Sequence, residues 1–372
     1  MSTPKPLPKP KLKLAWPGRV EDGRRVLKYV DALSEAVALE MARDENVFLF
    51  GLDVDDHKAI QGSTRGLLAR FGPQRVFTTP LSEDAMTGVA IGAAMAGMRP
   101  IHVHIRMDFL MLCMNQLVNI AAKARYMYGG QIKVPLVVRT IIGKSWGQGA
   151  QHSQGLHSMF MHVPGLKVCA PSNAHDAKGA LIAAIRDDNP VVFVEHRLLY
   201  ATEAFVAEAP YVVAPGRARV CRFGRDVTIV GVSNMVVEAL RAADLLKEAG
   251  VSAEVIDPIW LAPLDSETIV ESVRRTRKLV IVDNGWSMCG AGAEIAARVA
   301  EACAGEGPLQ IQRLGFAPTP CPPSPPLEAV FYPNPATIAA AAYKLARSDA
   351  PAWAPDPAKA ELAYQLQFKG PF

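Results

Sequence analysis

The sequence predicts an α/β protein made of two doubly wound domains, each a mostly parallel sheet between layers of helices. Three observations carry that reading. Short continuous apolar runs such as NVFLFGLDV (46–54) and RDVTIVGV (225–232) recur along the chain; strands buried on both faces read as unbroken runs instead of alternating ones. Helical patterns separate the runs, as the crossovers of a parallel sheet require. The alternation lapses between about 203 and 222, where Pro210, Pro215 and Gly216 fall, and then resumes. The expected division is a basic arm (1–24), a first domain (25–203), a linker (204–222), a second domain (223–348) and a tail (349–372).

Taken in order, the Pro- and Lys-rich residues 1–24 cannot bury apolar surface and are expected to be a disordered arm. Val30, Leu33, Val37, Leu39 and Met41 give Tyr29–Arg43 an amphipathic helical pattern. After the strand at 46–54 come a helix near 63–71, strand 75–78, helix 83–97, strand 99–104 and helix 108–124. Strand 134–140, a Gly-rich loop at 143–155, strand 166–169, helix 173–187 and strand 190–194 complete the first half. In the second half MVVEALRAADLLKEAG closes on Gly250 as a C-terminal cap, and VSAEVIDP, SETIVESVRRT, KLVIVDN, AGAEIAARVAEACAG and LQIQRLG continue the alternation. The stretch 316–335 is too rich in proline for a helix or a central strand. A helix at 336–347 and a short one at 357–366 close the chain.

Composition narrows the function. Half of the 372 residues are hydrophobic, enough for two cores. The net charge of +4 sits largely in the first 25 residues, leaving no basic face for nucleic acid. No apolar run reaches the length of a membrane span, and no apolar core follows the N-terminal lysines as a secretory signal would need. The six cysteines show no CxxC spacing and are expected to be reduced thiols in a cytoplasmic protein.

The stretch from Arg75 to Gln116 organises the rest. Pro80 ends a strand, Ser82 stands where an N-cap hydroxyl would accept from the first turn, and Glu83 follows at the positive end of the helix. Gly88, Gly92 and Ala96 recur every four residues, so one helix face is nearly bare and another backbone can approach it. Later, His152 lies in a loop with Gly143, Gly147, Gly149 and Gly155, flexible enough to carry an imidazole over a reacting centre. His157 and His162 are not spaced to share a helical face, and no metal cluster of the usual kind is evident.

Together TPLSEDAMTGVAIGAAMAGMRP (79–100), AAKARYMYGG (121–130) and GAQHSQ (149–154) resemble the β subunit of the thiamine-diphosphate-dependent 2-oxo acid dehydrogenase decarboxylases, shared by pyruvate, branched-chain and acetoin dehydrogenases. The resemblance runs over roughly residues 27–345. It implies a transketolase-like pyrimidine-binding domain followed by a transketolase C-terminal-like domain. It also implies that Glu83 is the carboxylic acid meeting the pyrimidine N1′, that Phe109 stacks on the aminopyrimidine, and that His152 serves cofactor and substrate. A structural potassium ion is implied at Leu136, Ala184, Asp187 and Asn189. Where many members carry a glutamate after the first strand, this chain has Leu52; Asp53 next to it would point to the opposite face of a continuing strand.

No GDG followed by NN about thirty residues on, the family's signature for the Mg²⁺-diphosphate, occurs, and no Walker or GxGxxG loop; CGAG at 289–292 lacks the fingerprint spacing. The resemblance therefore implies an α subunit holding the Mg²⁺-diphosphate, a heterotetramer of two α and two β chains, and transfer of the acyl group to a lipoyl acyltransferase core. Acetoin cleavage, a split transketolase-like carboligase and a non-catalytic scaffold subunit stay open as alternatives.

Overall fold

The computed structural model describes residues 25–56, 59–143 and 147–360; the expected basic arm and the last twelve residues of the tail lie outside them. The chain opens with β1 (Val26–Lys28), α1 (Tyr29–Arg43), β2 (Val47–Gly51), the short α2 (Ala59–Gly62) and α3 (Leu67–Phe71), β3 (Val76–Thr78), α4 (Glu83–Met95) and β4 (Arg99–His104). A 3₁₀ segment (Met107–Cys113) and a π segment (Asn115–Ala121) lead into α5 (Ala122–Met127). Then come β5 (Val137–Ile142), α6 (His157–Met161), β6 (Lys167–Cys169), α7 (Ala174–Arg186), β7 (Val191–His196) and β8 (Glu203–Phe205). The second half holds β9 (Arg219–Arg222), β10 (Val227–Gly231), α8 (Met235–Glu248), β11 (Ala253–Asp257) and β12 (Trp260–Ala262). It ends with α9 (Ser266–Thr276), β13 (Lys278–Trp286), α10 (Ala291–Ala302), β14 (Gln310–Phe316), α11 (Pro325–Phe331) and α12 (Pro335–Ala346).

The first sheet runs β12-β6-β7-β5-β4-β2-β3 and is parallel except for β12; the second runs β14-β13-β10-β11-β9 and is parallel except for β9. Every residue of β2, β5 and β7 is buried, the expected consequence of helices on both faces. On one face α1 packs against α7, with Leu33, Ala36 and Val37 meeting Ala177, Leu181 and Ile185 in one core. Each large aliphatic there contributes roughly 1.5–3 kcal/mol of hydrophobic stabilisation. On the other face Phe48 and Phe50 of β2 join Ala90 and Ile91 of α4.

The halves are stitched together. From the second half, β12 crosses back and pairs antiparallel with β6, Trp260 opposite Cys169. Trp260 is fully buried and its indole N–H donates to the Val213 carbonyl at 3.2 Å.

Several expectations need correction. Residues 204–222 are not one connecting segment: they begin inside β8, which pairs with β1, and end in β9, which pairs with β11. The proline-rich stretch 316–335 contains α11, because Pro325 stands in the first turn, where the missing N–H costs nothing. The helix expected over 108–124 is a 3₁₀ turn followed by a π turn, and only its last part is regular α-helix. Beyond these corrections, Trp353, in the part of the tail inside the described residues, lies against Tyr343 at 4.9 Å between ring centroids.

Candidate functional site

A pocket of about 320 Å³ opens at the carboxyl edge of the first sheet, lined by residues that follow β2, β3 and β4. Because β3 lies on one side of β2 and β4 on the other, the chain reverses its direction of growth here; ligands of open α/β sheets bind in the crevice such a reversal leaves. Gly51 ends β2 at φ +150°, and a Cβ there would lie 2.4 Å from the Val103 carbonyl, so only glycine lets the strands close up beside the pocket.

Glu83 is the first residue of α4 and lines the pocket, half-buried. Ser82 is the N-cap, as expected, but its hydroxyl makes no capping bond; with ψ at 75° the residue is turned away from the usual capping geometry. Phe109 and His152 also line the pocket, their rings edge to face at 5.3 Å between centroids. The structure thus brings the acid, the aromatic and the loop histidine to one cavity. Leu52 lines it as well, while Asp53 does not: β2 stops at Gly51, and Asp53 adopts φ +55° with its side chain exposed.

Several pocket residues escaped the sequence reading. His102 and His104 lie two apart on β4 and so share its pocket face. Burial pushes His102 down to about 4 and His104 well below the ordinary histidine value, so both are neutral near pH 7. His102 stacks on Phe50, and its Nε2 is buried with no partner among the described residues. His104 Nε2 lies 3.3 Å from the Thr87 hydroxyl on α4. Arg106, just past β4, completes the rim. The period-two spacing of His102 and His104 at a strand end was the available signal.

The His152 loop is held from two sides. Asp108 accepts from the backbone N–H of Gln154 at 3.1 Å and from its side-chain amide at 2.9 Å. Burial raises the Asp108 carboxyl above the usual range, with the Gln154 bonds opposing it. The next residue, Gly155, sits so close to the second domain that a Cβ would fall 1.6 Å from the Asn284 carbonyl oxygen. His157 Nε2 then meets Asp283 Oδ1 at 2.8 Å, both side chains buried.

Leu136, Ala184, Asp187 and Asn189 come together elsewhere, where β5 and β7 begin and α7 ends. That is the amino edge of the sheet, opposite the pocket. Asp187 accepts there from the Asn189 backbone and amide and pairs with Lys167. The Leu136 carbonyl accepts from Val191 N–H and the Ala184 carbonyl from Asp187 N–H. Among the described residues no group of three or more His, Cys, Asp or Glu could hold a metal ion. No described helix is long and apolar enough to cross a membrane.

Comparison with known proteins agrees with the two-domain fold. Residues 25–203 match the transketolase pyrimidine binding domain and residues 216–338 the transketolase C-terminal domain. The chain is 44% identical to the acetoin:2,6-dichlorophenolindophenol oxidoreductase subunit beta of Cupriavidus necator, over 84% of this chain and 95% of the relative. It is 41% identical to the mitochondrial pyruvate dehydrogenase E1 component subunit beta of Pisum sativum, over 86% and 90%. With the Rickettsia felis pyruvate dehydrogenase E1 component subunit beta it shares 45% identity over 72% and 82%. A solved structure described as a split gene transketolase, inactive beta4 tetramer, has the same fold, with a TM-score of 0.71 at 23% identity over 86% of this chain and 98% of that one. The chain belongs to the transketolase-like family of thiamine-diphosphate-dependent 2-oxo acid dehydrogenase β subunits, in which the β chains of pyruvate and acetoin dehydrogenases are found.

Proposed function

We propose that this chain supplies the pyrimidine half of a thiamine diphosphate site and, with an α subunit, decarboxylates a 2-oxo acid and passes the acyl group to a lipoyl domain of an acyltransferase core. The observation that carries the reading is the convergence of Glu83, Phe109 and His152 on one pocket at the carboxyl edge of the sheet. The lining fits an aminopyrimidine: a carboxylate at a helix start, an aromatic wall, and a buried His102 Nε2 lacking a partner among the described residues. It offers no Gly-rich cradle or acidic cluster for a metal-bound diphosphate, which falls to the α chain together with Mg²⁺. The cofactor would supply a nucleophilic thiazolium carbon for the ketone and a cationic ring to take up the electrons left by carbon dioxide. Glu83 holds a proton at the pyrimidine N1′, Phe109 orients the ring by stacking, and His152 steers the substrate carboxylate or moves a proton beside it.

The proposed potassium ion, at Leu136, Ala184, Asp187 and Asn189, is structural. It would share Asp187 with the Lys167 ammonium, and it has no part in the chemistry.

The test is calorimetric binding of thiamine diphosphate with Mg²⁺ to this chain alone and then with its α partner. Binding only in the mixture, and loss of 2-oxo acid decarboxylation in Glu83→Gln, is the expected result; tight binding by the isolated chain would sink the shared-site reading. Acetoin cleavage is the second reading, favoured by the Cupriavidus necator relative. Turnover of acetoin in place of 2-oxo acids by the same complex would select it.

A further inference from the structure

The pocket holds one permanent cation that the proposed chemistry leaves without a task. Arg106 lies at the end of β4, half-buried, and lines the cavity with Glu83, His102, His104, Phe109 and His152. One of its terminal nitrogens donates to the Ile105 carbonyl at 3.1 Å, and its buried Nε has no partner among the described residues. No described carboxylate forms an ion pair with it. Asp108, the carboxylate whose charge acts on Arg106, makes no ion pair with it and accepts at Oδ1 the two Gln154 bonds that pin the histidine loop. A second guanidinium, Arg197, donates to Gln148 Oε1 at 2.9 Å and to the His152 carbonyl at 3.4 Å, and burial together with the Arg106 charge pushes it down to about 10. Burial likewise lowers Arg106, with Asp108 opposing it. A partly desolvated guanidinium whose buried Nε lacks a partner among the described residues costs free energy that a bound anion offsets.

Resting on the decarboxylase reading, we propose that Arg106 recognises a second anionic group on the substrate, a carboxylate or phosphonate carried at the far end of the 2-oxo acid, so that the complex prefers dianionic over neutral-tailed substrates. The leaving carboxylate is the wrong partner for this residue. Its charge is lost as carbon dioxide forms, so a guanidinium clamped on it would hold the ground state more tightly than the transition state and slow the reaction. A spectator anion keeps its charge throughout, and binding it lowers KM with no such penalty. The neutrality of His102 and His104 fits this division: they give the floor polarity and shape without competing for the anion.

The experiment compares 2-oxoglutarate, its neutral-tailed 5-methyl ester, and 2-oxo-4-phosphonobutanoate on the αβ complex reconstituted with cofactor. The ratio of kcat/KM for each substrate with an anionic tail to that for the ester is expected to be about tenfold or more. It should fall toward one in Arg106→Gln through KM and be partly kept in Arg106→Lys, whatever loss all substrates share. A preference for the carboxylate or for the phosphonate decides which anion the site takes. A second readout needs no turnover: glutarate titrated into the complex should bind about tenfold more weakly to Arg106→Gln, and no more weakly to Arg106→Lys than intermediate between the two. A wild-type ratio near one, or an Arg106→Gln loss equal for all three substrates with glutarate binding unchanged, overturns the assignment of Arg106 and leaves the decarboxylase reading standing. Failure of the complex to decarboxylate any 2-oxo acid removes both.

Discussion

Asp257 is the best place to test the interdomain packing. It ends β11, is fully buried, accepts from the Ser172 hydroxyl and from Ile259 N–H at 2.8 Å, and forms no ion pair with a cation among the described residues. Burial, reinforced by the charge of Asp176, raises its carboxyl to about 7. Asp176 behaves oppositely: burial would raise it too, but bonds from His175, Arg219 and Asn173 hold it low. The folded chain therefore keeps the Asp257 proton to about pH 7, whereas an unfolded aspartate loses it near 3.9. Between those values the native state binds the extra proton, so stability falls as pH rises, and the loss is complete above pH 7. Roughly three pH units at about 1.36 kcal/mol each set a ceiling of about 4 kcal/mol. In Asp257→Asn the amide oxygen still accepts from Ile259 and the NH₂ donates to Ser172, and no charge is ever buried. Urea unfolding of both proteins from pH 4 to 9 should show near-equal stability at pH 4 and a variant more stable by about 2–4 kcal/mol at pH 8. Parallel curves, or a variant losing ground as pH rises, would refute the reasoning.

Other outcomes follow from the same geometry. Arg139→Met strands the buried Glu195, which Arg139 grips at 2.6 and 3.0 Å, and should cost about 3–5 kcal/mol by denaturant midpoint; Arg139→Met with Glu195→Leu should recover part of that. Gly155→Ala forces the His152 loop off Asn284 and should lower kcat of the complex about a hundredfold while circular dichroism stays native. Glu83→Gln should lower kcat about 10²–10⁴-fold without weakening assembly, read by activity and by sedimentation of the complex. Exchanging K⁺ for choline should lower the Tm by a few degrees, and Asp187→Ala should abolish that difference while leaving the pocket intact, read by scanning calorimetry.

The sequence carried the parts of this architecture whose causes are local. Parallel strands such as Val47–Gly51 and Val227–Gly231 are apolar because helices cover both faces, and that cause is written in the run itself. Glu83 is legible because a proline ends the strand and a helix begins at once. Non-local causes were not legible. Nothing in Trp260–Ala262 announces that three residues will cross to the first sheet, since the partner Cys169 is remote in sequence and the indole is buried only once the halves meet. Asp108 reads as an ordinary helical charge until Gln154 is folded against it. The π turn at Asn115–Ala121, whose Leu117 and Ala121 enter the core beside Ala90 and Ile91 of α4, is a geometry that propensity does not encode.

The site is open on the side where α4 faces solvent, and that fact bears on what the chain needs in order to work. Side chains built on Gly88 and Gly92 would meet no atom within 4 Å. Around them Leu81 is 74% exposed, Val89 56% and Leu112 58%, an apolar border beside the pocket mouth. A carboxylate intended to meet a pyrimidine needs water excluded from it, because bulk solvent competes for the proton and screens the interaction. This chain alone cannot provide that exclusion at Glu83, which opens to the same mouth. The proposed α subunit would do so by covering α4, whose bare face admits a partner backbone with no side chain to displace. Gly92→Leu puts a bulky group on that face without touching the pocket lining. It should leave the lone chain at least as stable as wild type by urea unfolding, with up to about 1 kcal/mol gained from replacing a helical glycine, and weaken α association by tenfold or more in calorimetry, with activity recovering at high α concentration. Unchanged association would place the partner on another face and leave the protection of Glu83 without an agent.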